Sequence, residues 1–296
     1  MKNILCLGTA QFGLNYGITN KRGKISDHSI IRILNYANKS GIKLIDTAQA
    51  YGKAELLIGN SLPKNCNFIF SSKIRPINSK KFDKEFFQNL DKKFEDSLKN
   101  LKQSSLDILF IHNADDIKGE NGKKLIEWLI DLRNKKLVKK LGVSIYEKKD
   151  LDSIPLNDFQ VVQLPLSLYD QRLLNNGTIN FLSNKNIEIH CRSIFLQGLI
   201  LQNLNNWPNF LSKEFQKSHI RNVQKFKSLD LKPLEVSLKF IKSQKNIAAA
   251  VVGITSLNEL VEINNCWENL ENKNINCDFS DFAWENDKDI DPRRWP

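Results

Sequence analysis

The chain has 296 residues, of which 41% are hydrophobic and 26% charged, with 17 Phe and 5 Trp. That is long enough for one large barrel or two ordinary domains, and too apolar for a disordered tail. Lys plus Arg exceed Asp plus Glu by 44 to 33, a net charge of +11, yet the surplus is dispersed in pairs such as Lys92-Lys93, Lys135-Lys136 and Lys139-Lys140. These are read as solvated helix faces and not as a nucleic-acid-binding stripe.

Short, continuous apolar runs recur from the N-terminus onward: Ile4 to Leu7, Lys43 to Ile45, Phe68 to Ser71, Leu106 to Ile111, Lys140 to Val143, Val161 to Leu164, Ile187 to Cys191 and Ala248 to Val252. Continuity without alternation is expected of parallel strands buried on both faces. Between them lie segments of helical periodicity. Ser26-Asp27 caps a predicted helix bearing Ile30, Ile31, Leu34 and Ala37 that ends at Gly41. Further helices are predicted over Glu85 to Leu101, Gly122 to Leu137, Gln171 to Ser183, Glu214 to Leu229, Pro233 to Ser243 and Ser256 to Leu270.

Strand followed by helix, repeated over this length, predicts an α/β fold of the (β/α)8 TIM-barrel type, a single domain spanning 1–296 with a tail from Asp278 to Pro296. A doubly wound sheet is the rival, but no G-x-G-x-x-G turn follows the first strand. The five cysteines are scattered without metal-ligand spacing, which suggests a reducing compartment and no metal. The first apolar run leads into Gly8 without a signal-peptide cleavage pattern. No apolar run approaches the roughly 18 to 20 residues that span a bilayer, so a cytoplasmic protein without membrane contact is expected.

In such a barrel the chemistry belongs just beyond the strands, at their C-terminal ends. The second run ends in KLID at Asp46, the third in FIFSSK at Lys73 and the fourth in DILFIH at His112, while Tyr51 follows Asp46 in AQAYGKAE. Singly these are ordinary: a cap, an exposed lysine, a structural histidine. Together they suit acid catalysis by a phenol. A free tyrosine, with a pKa of about 10, is a poor acid near neutrality. An ammonium about 4 Å away at an effective dielectric near 20 contributes about 4 kcal/mol, enough to lower the phenol by roughly three units. Asp46 would keep Lys73 charged, and His112 would hold a carbonyl oxygen near Tyr51.

The motifs GTAQFG, LIDTAQAYGKAE, SSK, ILFIHN, GVS, VVQLP, RSIFLQG and VVGITSLNEL, in this order over nearly the whole chain, resemble the aldo-keto reductases. The resemblance matches Asp46, Tyr51, Lys73 and His112 to that family's catalytic tetrad. It implies a barrel that binds a nicotinamide dinucleotide without a Rossmann fold and interconverts a small carbonyl and an alcohol by hydride transfer, with Tyr51 as general acid and base.

It also implies cofactor contacts at Gly8 and Thr9, at Ser144 and Gln163 for the carboxamide, and at Arg192, Ser193, Phe195 and Gln197 in the segment after the seventh strand. Arg192 stands where an aromatic residue often stacks on the nicotinamide, so the guanidinium plane takes that place or the stacking is missing. Gly253, Thr255 and Ser256 lead into a helix whose free N–H groups suit a phosphate. Relatives often carry Lys and Arg in this stretch for a 2′-phosphate, where this chain has Gly253 and Glu259. NADP(H) is the cofactor expected from the resemblance, with NAD(H) the alternative that Glu259 favours.

Two readings of the tail stay open: Trp295 merely packs on the barrel, or Arg293 and Arg294, with Arg192, contact an anionic sugar derivative. His28, His190 and His219 receive no role. The rival functions are a non-catalytic or slowly catalytic dinucleotide-binding, redox-sensing barrel and a Schiff-base lyase using Lys73.

Overall fold

All eight apolar runs become strands in a computed structural model, which describes residues 3–79, 81–270 and 277–296. They are β1 (Ile4–Gly8), β2 (Leu44–Asp46), β3 (Ile69–Ile74), β4 (Leu106–Ile111), β5 (Val138–Ser144), β6 (Val161–Pro165), β7 (Glu188–Arg192) and β8 (Ala249–Gly253). Each pairs in parallel with the next, and β8 returns to β1. The chain is thus a (β/α)8 barrel. Closure places Gly8 opposite both Asp46 and Gly253, Asp46 opposite Ser71, Lys73 opposite Phe110 and Pro165 opposite Arg192. Residues far apart in sequence therefore ring one mouth.

Helices α1 (Ala10–Gly13) and α2 (Asp27–Lys39) follow β1, and α3 (Ala54–Asn60) follows β2. Then come α4 (Lys84–Leu101), α5 (Gly119–Asn134), α6 (Arg172–Asn175), α7 (Thr178–Asn184), α8 (Lys213–Ser228), α9 (Pro233–Ser243), α10 (Leu257–Asn269) and α11 (Asp287–Ile290). Ser26 caps α2 by accepting from Ser29 N–H, as its position before an apolar stripe predicts. Apolar stripes of these helices pack on the outer face of the strands as one continuous core. The barrel interior holds smaller clusters, Cys6, Leu44, Ala249 and Val251 in one and Ile108, Phe110 and Val161 in another.

Two expectations change. The helix expected over Gln171 to Ser183 is split into α6 and α7, because Gly177 adopts a left-handed φ of 79° between them. Strand and α-helix also do not alternate eight times: between β5 and β6 the chain makes only a six-residue 3-10 turn, Lys148–Ser153. The charge pairs do decorate the outside, as with Lys135 on Asp131 and Lys139 on Asp107. Among the described residues no helix is long and apolar enough to cross a membrane.

The tail is tied down by buried carboxylates. Asp289, 2% exposed, accepts from Ser212 N–H and Oγ at 2.8 Å and from Trp284 Nε1 at 3.0 Å. Asp291, fully buried, accepts from Arg293 and lies 3.7 Å from Arg172. Trp295 packs its ring 5.9 Å from that of Phe210. The chain end thereby joins the loops that leave β6 and β7.

Candidate active site

Asp46 is the hub of the barrel mouth. Its carboxylate is 4% exposed and accepts from Lys73 Nζ at 2.5 Å, Ser71 Oγ at 3.0 Å and Gln163 Nε2 at 2.9 Å. Lys73 also donates to the Thr47 carbonyl at 3.1 Å, so the buried ammonium and the buried carboxylate meet each other and further polar partners, which makes such a pair tolerable. The Lys73 ammonium stands 5.5 Å from the Tyr51 ring centroid, and the Tyr51 and His112 rings meet edge to face at 6.1 Å. Asp46, Tyr51, Lys73 and His112 are therefore brought together.

Local packing sets the Tyr51 loop. A Cβ on Gly13 would stand 1.8 Å from the Tyr51 carbonyl oxygen, so only glycine lets α1 seat against this turn. Glu55, one turn on, is 6% exposed and accepts from Ser72 Oγ at 2.6 Å and Ser97 Oγ at 3.0 Å, tying α3 to β3 and α4. Thr9 N–H and Oγ both donate to the Asp46 carbonyl, at 3.0 and 2.9 Å.

The electrostatics depart from the sequence expectation. Burial, and then the Asp46 carboxylate, push the Tyr51 phenol up, and the cation that pulls it down is Arg192. The Lys73 charge is absorbed by Asp46. Burial, with Lys73 and Arg192 nearby, pulls the His112 imidazole down to about 4, so it is neutral near pH 7 and still has an N–H to donate. Its folded value lies below the unfolded one of about 6.5. The unfolded chain therefore takes up the proton first, and stability falls as pH drops from about 6.5 toward 4. His112→Gln should remove a loss of the order of 2 kcal/mol over that window, measured as the change in urea midpoint between pH 7 and pH 4.5. An unchanged pH dependence would show that His112 takes up its proton as readily in the fold as in the unfolded chain.

A cavity of about 470 Å³ opens over this cluster, lined by Asp46 and Tyr51 together with Gly8, Thr9, Gln163, Arg192, Ser193, Phe195, Gln197, Gly253, Thr255 and Glu259. Lys73, 1% exposed, does not reach its wall, which leaves a Schiff-base nucleophile no open route. His112, Ser144 and Ser256 also lie off the wall. Ser144 is buried at 3% exposure, and Ser256 Oγ caps α10 by accepting from Glu259 N–H. Gln163, on the wall, gives one amide N–H to Asp46. The segment after β7 is bent hard, with left-handed φ at Ser193, Leu196 and Gln197 of 60°, 48° and 52°, a conformation non-glycine residues hold only when their surroundings impose it. Gln197 accepts from Ile18 N–H at 3.0 Å and, through its carbonyl, from Thr19 Oγ at 2.9 Å. Gly198 approaches so closely that a Cβ there would stand 2.2 Å from Thr19 Oγ.

Several contributors escape the sequence reading. Gln11 lines the cavity and its Oε1 is buried without a partner. Tyr146 follows the GVS motif by two residues and carries the Arg192 guanidinium over its ring at 3.9 Å. Arg293 covers the same ring at 4.0 Å and donates to Asp291 and Glu147, and Arg294 pairs with Asp287 at 2.8 Å. The tail arginines thus meet carboxylates of the protein itself. An aromatic residue just past a strand end was the one available signal for Tyr146; its partners come from tertiary contacts.

The Aldo/keto reductase family model matches residues 4–276. The chain is 26% identical over 189 residues to D-arabinose 1-dehydrogenase of Saccharomyces cerevisiae, covering 57% of this chain and 55% of that protein. It is 25% identical over 179 residues to the uncharacterized oxidoreductase YcsN of Bacillus subtilis, covering 55% and 59%. The matched region thus spans little more than half the length of these curated relatives. Among solved structures, the holo form of an aldo-keto reductase from Bacillus halodurans has a TM-score of 0.70 at 16% identity, covering 94% of this chain and 89% of that one. The glycerol dehydrogenase of Gluconobacter oxydans has a TM-score of 0.68 at 19% identity, covering 92% and 93%. At these identities the two structures speak for the fold alone.

Proposed function

Because the chain belongs to the aldo/keto reductase family, we propose that it is an NAD(P)(H)-dependent oxidoreductase that interconverts a small aldehyde, ketone or sugar carbonyl and the corresponding alcohol. The observation that carries this reading is the cluster of Asp46, Lys73, Tyr51 and His112, of which Asp46 and Tyr51 line one cavity while Lys73 and His112 stand beside them off its wall. Tyr51 is the proton donor to the carbonyl oxygen, and its phenol is protonated at working pH because burial and Asp46 raise it. Neutral His112 donates a hydrogen bond that orients the same oxygen. Lys73, held by Asp46, places its ammonium 5.5 Å from the Tyr51 ring centroid and neutralises the carboxylate there.

The cavity suits a dinucleotide. Gln11 offers a buried, unpartnered Oε1 on its wall, and Gly253 lies close against the same side chain, where a Cβ would stand 2.8 Å from Gln11 Nε2. When bound, the dinucleotide supplies the hydride. Gly8, Thr9, Gln163, Ser193, Phe195, Gln197, Gly253 and Thr255 would hold it from the wall, with Ser144 and Ser256 behind.

The resemblance favours NADP(H), while the Glu259 and Glu262 carboxylates on this wall support acceptance of NAD(H), since they repel a dianionic 2′-phosphate. Glu259 also accepts from Thr255 N–H at 2.7 Å, occupying a donor a phosphate would use. Glu259→Gln is expected to shift the ratio of NADH to NADPH Kd about tenfold toward NADPH, read by quenching of protein fluorescence. An unmoved ratio places the adenosine end elsewhere.

The test of the reading as a whole is oxidation of NADPH and NADH by the purified chain against a panel of neutral and anionic aldehydes, ketones and sugars. Turnover of some of them is expected. Tight dinucleotide binding with no turnover on the whole panel would make this a redox-sensing barrel instead.

A further inference from the structure

Charge does not balance at the Tyr51 end of the cavity. Lys73 and Asp46 neutralise each other, and Tyr51 and His112 are uncharged near pH 7. Arg192 is left over. It lines the cavity, and its guanidinium donates to the Ile145 carbonyl at 3.2 Å and makes a long 3.5 Å contact with Ser193 Oγ. Neither partner carries charge. Arg172, Arg293 and Arg294 each meet a carboxylate, but among the described residues no carboxylate pairs with Arg192.

The guanidinium is nonetheless held firmly. Arg192 and Arg293 both pack their guanidinium groups over the Tyr146 ring, at 3.9 and 4.0 Å from its centroid. Arg293 is anchored in turn by Asp291, whose carboxylate is fully buried, and by Glu147. A half-buried cation fixed in place without a counter-charge suffers desolvation that an anionic ligand offsets.

We infer that Arg192, clamped by Tyr146 and Arg293, is the anion subsite for the substrate, so that preferred substrates carry a carboxylate or phosphate close to the reacting carbonyl. The inference rests on the oxidoreductase reading above. Arg192 is the residue that determines specificity; Tyr146 and Arg293 are positioning residues, and the tail contributes through its hold on Tyr146 and not through its own cations.

The experiment compares kcat/KM for glyceraldehyde, glyceraldehyde 3-phosphate and succinic semialdehyde, with inorganic phosphate and acetate as competing anions to tell which anion the subsite takes. The wild-type chain is expected to favour at least one charged aldehyde over the neutral one by about tenfold or more, and Arg192→Gln to lower that charged-to-neutral ratio about 30-fold. Tyr146→Leu is expected to lower the ratio about fivefold through KM for the charged aldehyde, with Tyr146→Phe restoring it; a merely structural role for the ring would lower kcat on every aldehyde alike. A wild-type enzyme indifferent to charge overturns the inference. So does an Arg192→Gln variant that loses the same factor on all three aldehydes while its cofactor Kd rises, because the cation then serves the cofactor. Failure to turn over any carbonyl defeats the oxidoreductase reading itself and this inference with it, a result distinct from turnover without charge discrimination.

Discussion

Tyr51→Phe is expected to lower kcat for carbonyl reduction by about 10³-fold while leaving the dinucleotide Kd within about twofold. The substitution removes one oxygen and keeps the ring that meets His112 edge to face. The turn itself is held by backbone: Tyr51 N–H donates to the Ala48 carbonyl and Ala54 N–H to that of Tyr51, both at 3.0 Å, with Gly13 packed against the same carbonyl. A folded, cofactor-binding protein without its acid should therefore result. Stopped-flow single turnovers isolate the chemical step from product release. If the Phe variant keeps kcat within tenfold of the wild type, another group donates the proton and Tyr51 is only part of the wall.

The second large effect is on stability. Lys73→Met leaves the Asp46 carboxylate buried among Ser71, Gln163 and the barrel interior with no cation. Stranding one member of a buried pair costs about 3–5 kcal/mol, which for a chain of this size lowers Tm by on the order of 10 °C. The double variant Asp46→Asn with Lys73→Met removes both charges and should regain most of that loss, giving a coupling of at least about 2 kcal/mol in the double-mutant cycle. Activity should not return with stability, because the ammonium and carboxylate packed beside the Tyr51 ring are both gone. A double variant no more stable than Lys73→Met would mean that the methylene packing of Lys73, and not its charge, matters to the fold.

These effects explain what was legible in advance. Strands buried on both faces must be continuously apolar, and the eight runs came through as eight strands for that reason. Parallel closure of a barrel puts every strand end at one mouth, so three polar residues ending consecutive strands and a tyrosine five positions beyond the first had to converge. The break at Gly177 and the shrunken β5–β6 connection were less visible, because periodicity over a dozen residues does not register a single left-handed residue.

What the sequence by itself determined was the barrel, the family resemblance and the identity of the clustered tetrad, since each follows from local pattern and strand order. The tertiary structure alone decided where the charges go. Lys73 lies 27 positions from Asp46 yet is consumed by it at 2.5 Å, so the cation acting on Tyr51 is Arg192, from four strands further on. The tail arginines, free in the sequence to meet a substrate, are instead claimed by Asp291, Asp287 and Glu147. Electrostatic partners are set by distance and burial, which sequence separation does not encode, and Arg293 reaches Glu147 across 146 positions.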